Sequence, residues 1–488
     1  MLVRETDETS ERVEALPAIG VPAISPSRLE GLWKAFLDAV RGSTLDYTAA
    51  PIGRSIAMLA IPMMLEMVME SIFAVADVFW VARLGADAVA TVGLTESMLT
   101  LVYGMAMGVS IGAMALVARR IGERDTDGAA RAAVQAIMLA VFVALVIGVV
   151  GGRYAAELLR LMGASPSVIA QGSTFTRIML GGNATVVLLF VINAIFRGAG
   201  DAAIAMRVLW LGNAINIILG PLFIFGVGPL PELGVTGAAV ATNIGRGTAV
   251  AYQLFTLARG RGRISLTRQI GLDLRTMLSL LRLSGSGAFQ VLIGMASYVG
   301  LVRIMATFGS AALAGYTIAI RLIIFALLPS WGLSNAAATM VGQNLGARKP
   351  ERAEQAVWQS AFYNVLFLGS VGALFMAFAP QIIAVFSADP SVQQYGVPGL
   401  RIVSGGFLFY AYGMVLTQSF NGAGDTWTPT VINLLVFWLF ELPFAYVLAS
   451  RVGLGPSGVF TALAVSYSTL AIVSVLVFRR GRWKLKAV

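Results

Sequence analysis

Long apolar segments separated by short polar gaps fill the chain from about residue 55 to about residue 478. A helix needs about 20 predominantly apolar residues to cross a lipid bilayer. The pattern therefore predicts an all-α membrane protein with twelve transmembrane helices. These helices are expected at residues 55–82, 88–117, 132–150, 174–196, 205–226, 236–258, 278–306, 311–340, 357–379, 398–419, 430–449 and 457–478.

Composition supports lipid as the surrounding solvent. Of the 488 residues, 57% are hydrophobic and only 12% are charged, whereas soluble domains carry about 25% charged residues. A larger core does not explain the deficit, because a surface in contact with water needs charge.

The positions of the basic residues predict the orientation. The chain carries a net charge of +10, and a strongly basic balance sometimes indicates nucleic-acid binding. Here the basic residues alternate between gaps, and we expect no nucleic-acid partner. Because basic residues are retained in the cytoplasm, both termini are expected there, in a plasma (inner) membrane. The basic gaps and the basic tail hold Arg119, Arg120, Arg124 and Arg131; Arg197 and Arg207; Arg259, Arg261, Arg263, Arg268, Arg275 and Arg282; Arg348, Lys349 and Arg352; and Arg479, Arg480, Arg482, Lys484 and Lys486.

The sequence contains no Cys and no His. Disulfides, thiolate chemistry and Cys/His metal sites are thereby excluded, and no paired nucleophile and base suggests an enzyme. We expect no cofactor, and we expect H⁺ or Na⁺ as the only ion that the protein handles.

The N-terminal 50 residues differ from the rest of the chain. Residues 1–26 are polar and acidic, which is typical of a disordered tail rather than of a cleaved signal peptide. Residues 28–41 place an apolar stripe at helical spacing, which favours a helix lying in the membrane interface, with a soluble helix packed on a loop as the alternative. The stripe comprises Leu29, Leu32, Trp33, Phe36, Leu37 and Val40.

The remainder is a tandem repeat. Phe196-Arg-Gly-Ala-Gly-Asp201 returns as Phe420-Asn-Gly-Ala-Gly-Asp425, an offset of 224 residues, and the offset falls to 221 towards the C-terminus. Six spans per half mean that both halves insert in the same orientation, so a pseudo-two-fold axis along the membrane normal should relate them. The predicted units are an N-terminal bundle at 51–258, a cytoplasmic linker at 259–275 and a C-terminal bundle at 276–488. A substrate site is expected between the bundles, near the middle of the membrane.

Three acidic residues in the first span form the strongest candidate site. At about 100° per residue, Glu66, Glu70 and Asp77 lie on one helical face. Charged residues in the membrane are costly and usually functional, and three neighbouring anions do not all ionise there, so we predict H⁺ or Na⁺ coupling. The alternative is structural hydrogen bonding to neighbouring helices. A Na⁺ ion would be held by Asp77 and Glu70.

Other polar or flexible residues within the spans are candidates for a substrate cavity. Hydrogen bonding between helices is the alternative for the amides, and pairing at a helix end is the alternative for the arginine. The candidates are Asn183, Asn213, Asn216, Met67, Arg246 and Glu441.

Several motifs together resemble the multidrug and toxic compound extrusion (MATE) family. They are Ile61-Pro-Met-Met-Leu-Glu-Met-Val-Met-Glu70, Asp77 with Arg83-Leu-Gly85, Val341-Gly-Gln-Asn-Leu-Gly-Ala347, and the paired Gly-Ala-Gly-Asp turns. The resemblance covers about residues 47–480. It implies two six-helix bundles in a V that open alternately to each side, and exchange of H⁺ or Na⁺ for amphipathic, often cationic organic compounds. It also implies that Asp77 is a cation-coupling position.

Two departures from the family pattern bear on coupling. Many members carry Asp before the proline of the fifth helix, where this chain has Gly220 before Pro221. The acids that some members carry in the seventh and tenth helices are also missing. We therefore expect coupling to belong to the N-terminal bundle.

The main alternative is a lipid-linked precursor flippase of related architecture, which would need a cationic groove. A major-facilitator transporter is disfavoured, because its characteristic loop after the second span is absent. We expect small organic substrates, contact with membrane lipid, and a monomer.

Overall fold

The computed structural model describes residues 26–266 and 271–486, which are helical almost throughout. The predicted N-terminal tail therefore lies outside the described residues, apart from Pro26. The helix predicted at 28–41 is present as α1 (Pro26–Arg41), and its position in the membrane interface stays a prediction. Its Trp33 is 62% exposed and stacks on Phe36, while Ala39 is buried. The side chains of Leu29 and Leu32 fall outside the described part.

Six spans form the first half. The fourth span, predicted as one helix at 174–196, is two helices that meet at Gly182 and Asn183, and a short helix precedes it. The elements are α2 (Ile52–Ala82), α3 (Ala86–Gly122), α4 (Thr126–Arg153), α5 (Ala155–Leu161), α6 (Pro166–Gly181), α7 (Ala184–Ala199), α8 (Ala202–Phe225) and α9 (Val235–Ala258).

Six further spans form the second half. The tenth span, predicted at 398–419, is a helix pair bent by 58°. The eleventh contains two π-helical segments, Leu434–Glu441 and Val447–Arg451. The helices are α10 (Leu274–Ala306), α11 (Ser310–Gly346), α12 (Pro350–Phe386), α13 (Pro390–Gly405), α14 (Phe407–Gly422), α15 (Trp427–Asn433), α16 (Leu442–Tyr446) and α17 (Pro456–Arg479).

The twelve-span architecture in two bundles follows from these elements. Among the described residues, ten segments are long and apolar enough to cross a membrane, with Pro166–Ala199 and Trp427–Arg451 each counted as one, and the bent pair adds an eleventh. The twelfth is α9, which has 24 residues and packs along α8. Apolar side chains on α4 face outwards, as a lipid-facing surface requires: Phe142, Leu145 and Val149 are each more than 60% exposed.

The backbone confirms the internal repeat. Two arginines adopt positive φ, Arg124 at 61° and Arg348 at 58°, and they are 224 residues apart. Gly85 and Gly309 show the same offset, with φ of 96° and 97°. Left-handed backbone is unusual for a residue other than glycine, so its recurrence at one offset indicates two copies of the same fold.

The bundles meet along a seam of close helix contacts. Of the two membrane faces, we call the one where α2 begins and α17 ends the terminal face. Gly122 packs on the backbone of Gln343, and Gly346 packs on the backbone of Arg119. At the offset of 224, Gly122 corresponds to Gly346 and Arg119 corresponds to Gln343, so the two contacts are equivalent, as a pseudo-two-fold axis requires. Nearer the middle of the membrane, Gly108 lies against Ala288, where a Cβ added to the glycine would lie 2.6 Å from that of Ala288.

Candidate functional site

A cavity between the two bundles contains the first two acids predicted from the sequence. It has a volume of about 140 Å³. Glu66, Met67 and Glu70 of α2 line it together with Asn193 and Arg197 of α7. Trp331 and Asn335 of α11 and Gln418 of α14 form the opposing wall.

Glu66 is buried in a network of charges and amides. Its Oε1 accepts hydrogen bonds from Arg197 Nη1 at 3.0 Å and from Asn193 Nδ2 at 2.9 Å. Gln253 of α9 donates to Asn193 Oδ1 at 2.6 Å. The network joins three helices of one bundle, and the second carboxylate oxygen of Glu66 has no hydrogen-bond partner among the described residues.

Glu70, one turn further along α2, has different partners. Asn213 donates to its Oε2 at 3.0 Å, and Arg246 Nη2 lies 3.7 Å from its Oε1. The Glu70 side chain is 26% exposed, against 2% for Glu66. Of the two carboxylates, Glu70 is therefore the more accessible to ions from the cavity.

Asp77 lies outside this cavity, towards the far end of α2. Within the described ranges, no side chain forms a hydrogen bond or an ion pair with it at contact distance. Glu96 and Arg246 are close enough to act on its charge. Arg83, at the end of the same helix, stacks on the rings of Phe79 and Trp80.

Arg197 and Arg246 compensate two of the three carboxylates, and in the described part of the chain no group of three or more acidic side chains converges as a metal site would. The predicted coupling of these acids to H⁺ or Na⁺ stays a prediction. The assignment of Arg197 to a loop is wrong. Helix α7 continues to Ala199 and buries this arginine, because Glu66 supplies the charge that makes its burial tolerable.

Arg246 is a central residue of the site. It is 4% exposed, and it contacts the Tyr103 hydroxyl at 3.2 Å as well as Glu70. Its guanidinium also lies 5.4 Å from the centre of the Phe73 ring. It is thus a buried counter-charge, not a residue that extends to the membrane surface.

The remaining candidates divide into structural and cavity residues. Asn183 donates to Ala144 and Leu180 at the break in the fourth span, and Asn216 donates to Thr242 at 2.8 Å between α8 and α9. Both fill structural roles. Asn213 belongs to the site through Glu70, whereas Glu441 lines a second cavity between the bundles.

Sequence reasoning missed the opposing wall and the amides that hold Glu66. For Asn193, Gln253 and Gln418, the available signal was a polar residue within an apolar span. Nothing in the sequence pattern distinguishes Trp331 or Asn335 as cavity residues.

The fold and the site define a polytopic two-bundle membrane transporter with paired charges at the interface between its bundles. Comparison with known proteins gives the family. The MatE family model matches residues 62–222 and again 286–447. The two matches start 224 residues apart, which is the offset of the repeat, and the chain belongs to the MatE family of multidrug efflux transporters.

Individual relatives agree with this assignment. The chain is 25% identical to a probable multidrug resistance protein NorM of Thermotoga maritima, over 90% of this chain and 94% of that protein. It is 21% identical to the multidrug export protein MepA of Staphylococcus aureus, over 88% and 94%. A solved outward-facing conformation of a multidrug resistance MATE family transporter of the MOP superfamily superposes with a TM-score of 0.85 at 26% identity, covering 91% of this chain and 100% of that one. These relatives are transporters, not enzymes.

Proposed function

We propose that this protein exports amphipathic, often cationic organic compounds in exchange for H⁺ or Na⁺, by alternating access. The observation that carries the proposal is the position of Glu70. It lies on the wall of the central cavity, partly exposed, and its partners Asn213 and Arg246 belong to two other helices.

Ion binding at Glu70 has a direct structural consequence. A proton or Na⁺ on this carboxylate weakens its attraction to Arg246 and competes with the hydrogen bond from Asn213. The interactions that tie α2 to α8 and α9 are then weaker. A ligand shifts a conformational equilibrium only through such a difference in interaction between states.

Helix α2 also contributes to the seam. Gly332 of α11 packs against the backbone of Met63, about two turns from Glu70. A change in the packing of α2 within its own bundle therefore alters the contact between α2 and α11 of the other bundle. This connection supports alternating access driven by ion binding at the acids of α2.

The charges of the central cavity support this function over a lipid-linked precursor flippase. Such a carrier needs free cations for an anionic headgroup. Here Arg197 pairs with Glu66 and Arg246 pairs with Glu70.

The topology belongs to the same proposal. The start of α2 and the end of α17 lie on the membrane face that carries the basic gaps, and by the positive-inside rule we propose that this face is cytoplasmic. The cavity beyond the seam, lined by Leu101, Met295 and Ile324, then faces the outside of the cell.

Purified protein in lipid vesicles tests the function. Transport of ethidium, a planar organic cation, is followed by fluorescence while a pH gradient or a Na⁺ gradient is imposed separately. One gradient should drive transport, and Glu70→Gln should abolish it, while Glu232→Gln, on an exposed loop, should not. Equal transport with and without both gradients would contradict antiport.

A further inference from the structure

The C-terminal bundle holds a buried carboxylate that the proposed coupling site does not use. Glu441 is 2% exposed and ends the π-helical segment Leu434–Glu441. Ser297 donates to its Oε2 at 2.6 Å. Its Oε1 is buried without a hydrogen-bond partner, and among the residues described no Lys or Arg forms an ion pair with it. π-Helical segments are rare and often accompany functional sites.

Tyrosine side chains share a cavity with this carboxylate: Tyr298, Tyr316 and Tyr467 line it together with Glu441. The rings of Tyr410 and Tyr467 have centres 4.1 Å apart, and Tyr298 stacks on Tyr316 at 6.3 Å. The faces of aromatic rings attract cations, and such cages are a common way to bind organic ammonium groups.

The group opens onto a cavity between the bundles. Glu441, Tyr298, Tyr316 and Tyr467 line one side of it, and Ser97 and Leu101 of α3 line the other. The cavity has a volume of about 680 Å³. Drug-sized ligands occupy pockets of roughly 300 to 1,000 Å³, so the space is sufficient for an organic compound.

We propose that Glu441 and these tyrosines form the subsite that receives the cationic group of the exported compound. The inference rests on the proposed export function and specifies where its substrate binds. Glu66 and Glu70 already have arginine partners, whereas the carboxylate of Glu441 lacks a cation. A buried anion without a partner is costly, and an organic cation supplies the missing charge while the rings cover its apolar surface. At the offset of 221 the equivalent residue is Gly220, so the N-terminal bundle has no second copy.

Binding without any gradient tests the subsite. Detergent-solubilised protein is titrated with tetraphenylphosphonium, a lipophilic cation, and with N-phenyl-1-naphthylamine, which is uncharged at neutral pH, at fixed pH and fixed Na⁺. Glu441→Gln should weaken tetraphenylphosphonium binding about tenfold or more, the scale expected when a buried charge partner is lost. Binding of the uncharged probe should change less than about twofold, because apolar burial does not depend on the charge.

Two variants and one control complete the test. Tyr467→Leu should also weaken binding of the cation, and Glu441→Asp should retain more of it than Glu441→Gln does. Glu232→Gln, in an exposed loop, should leave the binding of both probes unaffected.

Unchanged binding of tetraphenylphosphonium to Glu441→Gln would overturn the proposal. An equal loss for both probes would also overturn it, by indicating a packing defect. Loss of gradient-driven transport with cation binding intact would assign Glu441 to ion coupling and reject the subsite. If neither gradient drives export but cation binding still depends on Glu441, the proposed antiport function is rejected and the proposed subsite is supported.

Discussion

Oε1 of Glu66 lies 3.0 Å from Nη1 of Arg197, and the pair is buried at the wall of the central cavity. Removing one partner of a buried ion pair costs about 3 to 5 kcal/mol, because the other charge is left without compensation. We therefore expect Glu66→Gln to lower the unfolding temperature of the detergent-solubilised protein. Glu123→Gln breaks an exposed pair with Arg120 and should cost less than about 1 kcal/mol. If Glu66→Gln and Glu123→Gln unfold at the same temperature, the stabilising role of the pair is refuted.

Glu70→Gln and Asp77→Asn should have a different effect. Glu70 is partly exposed to the cavity, and its partner Arg246 keeps its contacts with the Tyr103 hydroxyl and the Phe73 ring when Glu70 is changed. Asp77 has no hydrogen-bond or ion-pair partner among the described residues, so both changes should cost less stability than Glu66→Gln. Both variants should insert and fold like the wild type but lose gradient-driven efflux from vesicles. Wild-type efflux by both would mean that the acids of α2 do not couple transport to an ion.

Ion titration should change the N-terminal bundle first. The acids Glu66, Glu70 and Asp77 have Gln290, Gly294 and Leu301 as their equivalents in the second half at the offset of 224. Because the chain contains no Cys, pairs of cysteines can be introduced for spin labels within each bundle. Distances within the N-terminal bundle should respond to pH or Na⁺, and the triple variant Glu66→Gln, Glu70→Gln, Asp77→Asn should abolish the response. A response that persists in the triple variant would place the switch elsewhere.

Side chains added at the seam should shift the conformational balance. A Cβ on Gly122 or Gly346 overlaps the backbone of the opposite bundle. Gly122→Val should therefore disfavour the state that is closed at the terminal face and slow export. Gly93→Val serves as a control, because a Cβ there meets no other atom within 4 Å. Labels placed across the seam should report a larger separation in Gly122→Val only. An unchanged separation would mean that this contact does not hold the bundles together.

The orientation is tested by a reporter fused after Val488. The basic residues of the terminal face predict that a reporter active only in the cytoplasm will be active there. Activity of a reporter that works only in the periplasm would reverse the topology.

The spans were predictable because lipid imposes a strong constraint: every backbone polar group must be satisfied within the helix, and every outward side chain must be apolar. The sequence also showed the repeat, since Asp201 and Asp425 recur in identical turns. The structure places Arg263 at 3.6 Å from the first and Lys486 at 3.1 Å from the second, so both carboxylates hold chain segments outside the bundles.

The partners of the acids were not predictable. Helical periodicity places Glu66 and Glu70 on one face, but it carries no information on what that face meets. Arg197 lies 131 residues from Glu66 along the chain. Because Arg197 is charged and lies near the predicted end of a span, the sequence favoured a loop position for it. Only the packing of α7 against α2 shows that this arginine is buried. The break at Asn183 was missed for a similar reason, because its amide satisfies backbone carbonyls that hydropathy alone does not register.

The reciprocal packing of Gly122 on Gln343 and of Gly346 on Arg119 has a consequence for leakage. The two contacts lie at the same membrane face and are related by the pseudo-two-fold axis along the membrane normal, so a movement that parts the bundles at this face breaks both. Separation there is then cooperative, because breaking one contact alone loses close packing and gains little freedom of movement. In the proposed export cycle, such cooperative closure would limit the time for which water is continuous across the membrane, and so would limit the leakage of ions.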